Sequence, residues 1–354
     1  MKSTFKTVAK VRRLMRAGRP LSAALAFGAL LSVKPAVRRP SKSSAKRKPR
    51  PSPKSAISRP APGTFVAGAF SCAEGGLHYK LYTPTGSSRR RMPLLVMLHG
   101  CGQSADNFAV GTRMNVLADE FGFLVLYPEQ STSQNIGRCW NWHRHGDRKR
   151  GRGEPAVIAA LTRNIAALTH ANAARIYIAG LSAGAAAAAI TASTYPELYV
   201  AVGSHSGVLP GNVRTLMGAL TTMTRGAGAS ENGRTRRPLP TIVFHGDQDK
   251  TVHPSNAESF LSHLRRSSPQ PLHSTVLHGS EGGRAFTRTI HRLRNGVPLL
   301  ENWVVHQSGH AWSGGNRMGS FTEPGGPDAS REMVRFFLAR KHAARPAQST
   351  RRRR

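Results

Sequence analysis

The chain has 354 residues, three cysteines and a formal charge of +35. This length suits one large domain with extensions, and three cysteines exclude a disulfide-dense scaffold. Most of the excess positive charge lies near the two termini. Residues 1–62 contain 17 Lys and Arg and no acidic residue, and residues 340–354 contain 7 Lys and Arg and no acidic residue. No motif of a sequence-specific nucleic-acid reader occurs. We therefore predict no specific nucleic-acid partner, and tails that bind anionic surfaces without specificity.

Residues 1–62 are predicted to form a basic N-terminal extension. Its first 36 residues place the apolar run "LSAALAFGALLSV" (21–33) after a cationic stretch, as in a secretory signal, and the run is too short to span a membrane. Residues 37–62, rich in Pro, Ser, Lys and Arg, predict a disordered linker, and residues 343–354 a basic disordered tail. We expect a secreted or extracellular protein. A cytoplasmic one is the alternative, because no good cleavage site follows the run.

Between the tails, residues 63–342 are predicted to form one α/β catalytic domain. Apolar runs predict strands, and three- and four-residue apolar spacing predicts helices. The predicted strands lie at 93–99, 122–128, 175–180, 199–207, 240–246 and 298–306. One predicted helix ends near residue 123, and three others span 155–170, 182–195 and 328–342. Their alternation indicates a mostly parallel central sheet with helices on both faces.

In such a sheet, ligands gather at the carboxyl ends of the strands, so polar residues just after strands are candidates for chemistry. "GLSAG" (180–184) follows one strand and opens a helix, which is the context of a nucleophile elbow at Ser182. The competing interpretation is a small-residue turn chosen only for close packing. The alanines that follow are interpreted as packing.

Two more strands end in candidate partners for this serine. "HGDQDKTVHP" (245–254) offers Asp247 and Asp249, and "SGHAWSGG" (308–315) offers His310. Serine, aspartate and histidine in this chain order match α/β-hydrolases, in which the histidine activates the serine and the aspartate orients the histidine. We favour Asp249, since Asp247 follows "HG" closely and is interpreted as a turn residue.

An oxyanion formed at Ser182 needs two backbone N–H donors. One is expected at Ala183, and the other in the loop after the first apolar strand, where Cys101 follows "HG". The chain has no C-x-x-C pair and no histidine cluster at ligand spacing, so we predict no metal and no cofactor.

Several motifs together resemble the polyhydroxybutyrate-depolymerase-type esterases. They are the segment 94–130 with "HGCGQS", "RCWNW" (138–142), "GLSAG", "VGSHSG" (202–207), "HGDQDKTVHP" and "GHAWSGG". The resemblance implies the α/β-hydrolase fold, a Ser182–Asp249–His310 triad and an oxyanion donor at Cys101. It also implies a Cys101–Cys139 disulfide, which forms in an oxidising compartment. The alanine run after "GLSAG" and the arginine-rich flanks depart from the family pattern.

The resemblance implies a serine esterase for 3-hydroxybutyrate or other hydroxyalkanoate oligo- or polyesters. A feruloyl or acetylxylan esterase is the first alternative, and an inactive hydrolase core that binds polyanionic surfaces is the second. Trp140, Trp142 and Trp312 are candidates for an apolar substrate-binding wall, if their indoles are exposed beside the elbow. Otherwise they are ordinary aromatic packing.

Overall fold

The computed structural model describes residues 63–86, 91–144, 146, 149–209, 216–225, 238–268 and 270–342. The strands in this part of the chain are β1 (Thr64–Cys72), β2 (Gly75–Thr83), β3 (Leu94–Leu98), β4 (Leu124–Glu129), β5 (Ile176–Leu181), β6 (Ala201–His205), β7 (Thr241–Gly246), β8 (His273–Glu281), β9 (Arg284–Arg292), β10 (Pro298–Val305), β11 (Trp312–Ser313) and β12 (Thr322–Glu323). The helices are α1 (Ala105–Thr112), α2 (Met114–Phe121), α3 (Gly153–Leu168), α4 (Ala183–Thr194), α5 (Leu216–Arg225), α6 (Ser255–Ser267) and α7 (Ala329–Leu338).

One ten-stranded sheet organises the described chain, in the order β1-β2-β4-β3-β5-β6-β7-β10-β9-β8. The six strands from β4 to β10 in this order run parallel, and they are the six that the apolar runs predict. β3 and β5 are buried along their whole length, as expected for strands covered on both faces. The predicted α/β-hydrolase fold, with its mostly parallel sheet, is confirmed.

Helices cover both faces of the sheet through separate apolar cores. On one face α3 and α4 pack with the side chains of Val96, Leu98 and Ile178. On the other face α1, α2 and α7 pack with those of Leu95 and Met97. Neighbouring residues of one strand thus enter different cores, since successive side chains of a strand point to opposite faces.

Antiparallel hairpins at both ends of the sheet were not among the predicted elements. β1 pairs with β2 at one edge, and β8 with β9 at the other. These strands are far less buried than the central ones, and β8 is exposed along almost its whole length. Their sequences therefore lack the continuous apolar runs by which the central strands were predicted.

The predicted N-terminal extension, with its signal-like and linker parts, and the tail at 343–354 lie outside the described residues. In the part of the chain that the structure does describe, no helix has the length and apolarity needed to cross a membrane.

Candidate active site

Ser182 occupies a sharp turn between β5 and α4. Its backbone has φ 57° and ψ −119°, a conformation that non-glycine residues rarely adopt. The Ser182 N–H donates to the carbonyl oxygen of His205 at 2.9 Å, which fixes the turn against the end of β6. A strained turn held by its neighbours in this way is what a nucleophile elbow requires.

The two glycines of "GLSAG" are required by close backbone approach. A Cβ at Gly180 would lie 2.4 Å from the carbonyl carbon of Gly184. One at Gly184 would lie 2.2 Å from the oxygen of Leu98 and 2.4 Å from that of His99. The first turn of α4 therefore rests directly on the end of β3.

Asp249 and His310 form a buried pair on neighbouring loops, after β7 and β10. Asp249 Oδ2 lies 2.7 Å from His310 Nδ1, and the carboxylate is fully buried. Its Oδ1 accepts hydrogen bonds from the N–H groups of Thr251 and Val252. The aspartate is thus held in one orientation with a carboxylate oxygen directed at the imidazole.

The charge of Asp249 is stabilised although it is buried. Burial raises the pKa of this carboxyl, but hydrogen bonds with His245 and His310 outweigh burial and hold the pKa well below its usual range. An ionised carboxylate only accepts hydrogen bonds, so His310 Nδ1 carries the proton. In the neutral ring, Nε2 is then free to accept a proton.

Asp247, the other candidate acid, bonds a different histidine. Its Oδ2 lies 2.9 Å from His306 Nδ1, and its Oδ1 accepts from the Gln307 N–H at 2.7 Å. Both side chains of the Asp247–His306 pair are more than one-third exposed. The structure therefore places Asp247 in a surface contact, and only Asp249 beside His310.

The loop after β3 is tied to the "RCWNW" segment. Cys101 and Cys139 form a disulfide with an S–S distance of 2.04 Å. The Gly102 N–H donates to the Gly137 oxygen at 2.9 Å, beside the disulfide. These two links fix the backbone at Cys101 and at the residue that follows it.

The backbone N–H groups of Ala183 and Cys101 have no hydrogen-bond acceptor among the described residues. Ala183 is the first residue of α4, where an N–H has no intrahelical acceptor. In the 100–103 loop, the N–H groups of Gly100, Gly102 and Gln103 all have acceptors, whereas no described residue accepts from Cys101 N–H. These two are the predicted oxyanion donors.

A partly buried carboxylate, which the sequence did not single out, anchors the "RCWNW" segment by hydrogen bonds. Glu154, in the first turn of α3, accepts from the Asn141 N–H at 2.7 Å and from Asn141 Nδ2 at 2.6 Å. It also accepts from Gln130 Nε2 at 2.5 Å. Burial raises the pKa of Glu154, and these donors partly counter it. Gln130 directly follows β4, so the search for polar residues after strands could have found it.

His99 anchors the same loop as a neutral ring. Its Nε2 accepts from the Gln130 N–H at 3.0 Å, and burial lowers its pKa. Gln103 links the loop after β3 to the segment that follows His310, because its Nε2 donates to the Ser320 oxygen at 2.8 Å. Neither His99 nor Gln103 was predicted to have a role in chemistry, and both act on the loop's position.

The prediction that tryptophans form an exposed substrate-binding wall is wrong for Trp140 and Trp312, two of its three candidates. Trp140 and Trp312 are each 1% exposed. Trp140 Nε1 donates to the His99 oxygen at 3.0 Å, and Trp312 Nε1 to Ser330 Oγ at 3.0 Å. Both indoles are core residues with satisfied N–H groups, which is the packing alternative. Trp142 is also largely buried, and its ring lines a small cavity between α3 and α4.

Among the described residues, no group of three or more His, Cys, Asp or Glu side chains is arranged to hold a metal ion. The site instead combines a strained serine turn, a buried carboxylate–imidazole pair and two amide donors at the carboxyl edge of a parallel sheet. This combination is the one expected of a serine hydrolase on an α/β-hydrolase fold.

Comparison with known proteins agrees with this class. The family described as "Esterase PHB depolymerase" matches residues 77–270, and the chain belongs to this family. Poly(3-hydroxyalkanoate) depolymerase C of Paucimonas lemoignei is 30% identical over 260 residues, which cover 68% of this chain and 60% of that protein. Feruloyl esterase B of Neurospora crassa is 33% identical over 131 residues, covering 36% of this chain and 44% of that one. The chain thus spans about half the length of these curated relatives.

A solved structure shares the fold. The acetyl xylan esterase from Aspergillus awamori superposes with a TM-score of 0.53 at 18% identity, over 66% of this chain and 89% of that one.

Proposed function

We propose that the protein is a serine esterase that cleaves carboxylic esters through an acyl intermediate on Ser182. The observation that carries this proposal is the buried Asp249–His310 pair, 2.7 Å apart, on loops at the carboxyl ends of the parallel strands, where β5 also ends in the positive-φ turn of Ser182. Membership of an esterase family supports the same conclusion.

In the proposed reaction, Ser182 Oγ attacks the ester carbonyl carbon and His310 Nε2 takes the hydroxyl proton. The carbonyl oxygen becomes an oxyanion, which the N–H groups of Ala183 and Cys101 stabilise. The intermediate then expels the alcohol, which leaves with the proton from His310. Water repeats the sequence on the acyl-serine, releasing the acid and restoring the hydroxyl.

Asp249 keeps the imidazole in the required tautomer throughout. Its carboxylate accepts the Nδ1 proton and stabilises the imidazolium that forms during attack. Because the pKa of Asp249 lies well below its usual range, the carboxylate stays ionised at every pH at which the imidazole acts as a base. No cofactor takes part in these steps.

For the substrate, we favour 3-hydroxybutyrate or other hydroxyalkanoate oligo- and polyesters. The family description and the Paucimonas lemoignei relative support this class. The Cys101–Cys139 disulfide supports maturation in an oxidising compartment and hence a secreted or extracellular enzyme.

A feruloyl or acetylxylan esterase is the second candidate. The Neurospora crassa relative is named a feruloyl esterase, and the solved structure an acetyl xylan esterase. Both candidates use the same serine chemistry and differ only in the acyl group or alcohol they accept.

The experiment has two arms. A fluorophosphonate should label the wild type and leave Ser182→Ala unlabelled, and equal labelling of both proteins would refute the assigned nucleophile. A substrate panel of amorphous polyhydroxybutyrate, 3-hydroxybutyrate oligomers, methyl ferulate and acetylated xylan then separates the candidates. Anionic-vesicle binding with no turnover of any ester would instead support the inactive-core alternative.

A further inference from the structure

His205 is a buried histidine that the proposed ester hydrolysis does not use. It is the last residue of β6, and 1% of it is exposed. Its own carbonyl oxygen accepts the hydrogen bond from the Ser182 N–H that fixes the nucleophile turn. The main chain of His205 is therefore already in contact with the serine.

The side chain of His205 contacts the loop that carries His310. Its Nε2 accepts from the Ser313 N–H at 2.9 Å, three residues after His310. A backbone amide only donates, so Nε2 carries no proton and Nδ1 carries it in the neutral ring. Nδ1 lies 3.1 Å from Ser206 Oγ, which can accept this proton.

Aromatic contacts restrict the orientation of this ring. The ring stacks on Trp312 with centroids 4.9 Å apart and on Phe244 with centroids 5.8 Å apart. Trp312 lies two residues after His310, so stacking and the hydrogen bond at Ser313 both act on the histidine-bearing loop. One side chain thus holds two consecutive residues of that loop.

The surroundings keep His205 neutral. Burial, together with the nearby His245 and His310, lowers the pKa of His205 to about 3, and Asp249 opposes them. Over the pH range of ester hydrolysis, the ring therefore neither gains nor loses a proton, and its Nε2 stays available as an acceptor.

We propose that His205 is a positioning residue that couples the Ser182 turn to the loop carrying His310. It would thereby keep the nucleophile and its base at a fixed distance and orientation. The inference rests on the proposed function. The competing possibility is that His205 merely fills the core, in which case any folded variant of similar size would serve.

Two polar substitutions separate these possibilities. In His205→Gln the side-chain amide reaches the position of Nε2 and can still accept from Ser313, whereas in His205→Asn it reaches only the position of Nδ1. We expect H205N to lower kcat for p-nitrophenyl butyrate by about 10- to 100-fold with little change in KM, and H205Q to stay within about fivefold of wild type. Thermal unfolding of both variants gives the structural effect separately.

A second measurement does not depend on turnover. In the wild type and H205Q, the His310 Nδ1 proton bonded to Asp249 should give the same downfield proton NMR signal, and in H205N this signal should shift or broaden. If H205N does not fold, His205→Phe takes its place, since it keeps an aromatic ring and removes the acceptor.

The outcomes distinguish the inference from the function on which it rests. Equal kcat values and equal NMR signals in the Gln and Asn variants, or a loss of kcat that follows the melting temperature in both, would overturn the positioning role. Absence of esterase activity and of fluorophosphonate labelling in the wild type would overturn the proposed function, and the NMR comparison would still decide whether His205 holds the loop.

Discussion

Asp247 and Asp249 are separated by one residue, yet their carboxylates bond different histidines, His306 and His310. Asp247 and His306 meet at the surface, whereas Asp249 is buried beneath the candidate site. One loop thus carries two similar carboxylate–imidazole hydrogen bonds in contrasting environments, so the two aspartates provide a matched test of the assigned acid.

We expect Asp249→Asn to reduce kcat by about 10⁴-fold, because an amide can no longer hold the His310 tautomer that accepts a proton at Nε2. Asp247→Asn should change kcat by less than about threefold, since its carboxylate contacts His306 at the exposed surface and not His310. Steady-state hydrolysis of p-nitrophenyl butyrate measures both. Similar losses in the two variants would remove the reason for choosing Asp249.

Gly184→Ala should disrupt the nucleophile turn. Its Cβ would lie 2.2 Å from the Leu98 oxygen, which belongs to the backbone of a buried strand and cannot move aside cheaply. We expect a loss of at least about 3 kcal/mol in the free energy of unfolding, measured in urea, together with loss of labelling at Ser182. Gly146→Ala is the control, because no atom of the described residues lies within 4 Å of its added Cβ. A fully stable G184A protein would contradict the close approach of α4 to β3.

Removing the disulfide should weaken both stability and activity. The bond closes a loop between positions 38 residues apart. The double variant Cys101→Ala/Cys139→Ala should therefore unfold with about 2–4 kcal/mol less free energy. Its kcat should also fall, because the Cys101 N–H is no longer held in place.

Cys72→Ala is the matched control for the disulfide, since Cys72 is a free cysteine on the edge strand β1. It should behave as the wild type with and without a reducing agent. If reduction of the wild type leaves kcat unchanged, the disulfide does not position the oxyanion loop.

Trp140→Phe and Trp312→Phe should affect stability rather than substrate binding. Each change leaves a buried acceptor without its indole donor, which costs about 1–3 kcal/mol of unfolding free energy. KM for p-nitrophenyl esters should stay within about twofold in both variants, as neither indole reaches the solvent. A large rise in KM with unchanged stability would restore the exposed-wall interpretation.

The depressed pKa of His205 predicts acid sensitivity of the fold. The ordinary value is 6.5 and the folded value about 3, so between these pH values the unfolded chain binds the extra proton. Stability from this site is complete above pH 6.5 and is lost as the pH falls towards 3, by up to an amount on the order of 4 kcal/mol.

His205→Gln cannot take up this proton, so its unfolding free energy should fall less steeply between pH 6.5 and pH 4 than that of the wild type. Urea titrations at several pH values measure the slope. Parallel slopes for H205Q and the wild type would show that His205 takes up the proton as readily in the folded as in the unfolded chain, against the depressed pKa.

Local patterns in the sequence were sufficient to predict the central sheet and the position of Ser182. Continuous apolar runs identify strands buried on both faces, and "GLSAG" between a strand and a helix identifies the turn. The edge hairpins were missed because half-exposed strands such as β8 lack such runs. The order of the strands along the sequence also does not determine that the β1–β2 and β8–β9 hairpins lie at the two ends of the sheet.

Residues that act through the position of others were harder to predict. His205 and Gln130 could have been found by their place at strand ends, but Glu154 and Gln103 act over long sequence separations that only the fold brings together. The tryptophans show the complementary limit. Their aromatic side chains suggested an exposed apolar surface near the site. Trp140 and Trp312 are in fact buried, and their burial depends on packing against segments distant in sequence.

The positive φ of Ser182 also limits which side chains the turn tolerates. A β-branched residue such as threonine is strongly disfavoured in that backbone conformation, so a secondary alcohol is a poor replacement even though it retains a hydroxyl. Cysteine has an unbranched Cβ like that of serine and fits the same backbone. The geometry of this turn therefore permits a change of the attacking element from oxygen to sulfur more readily than the addition of one methyl group.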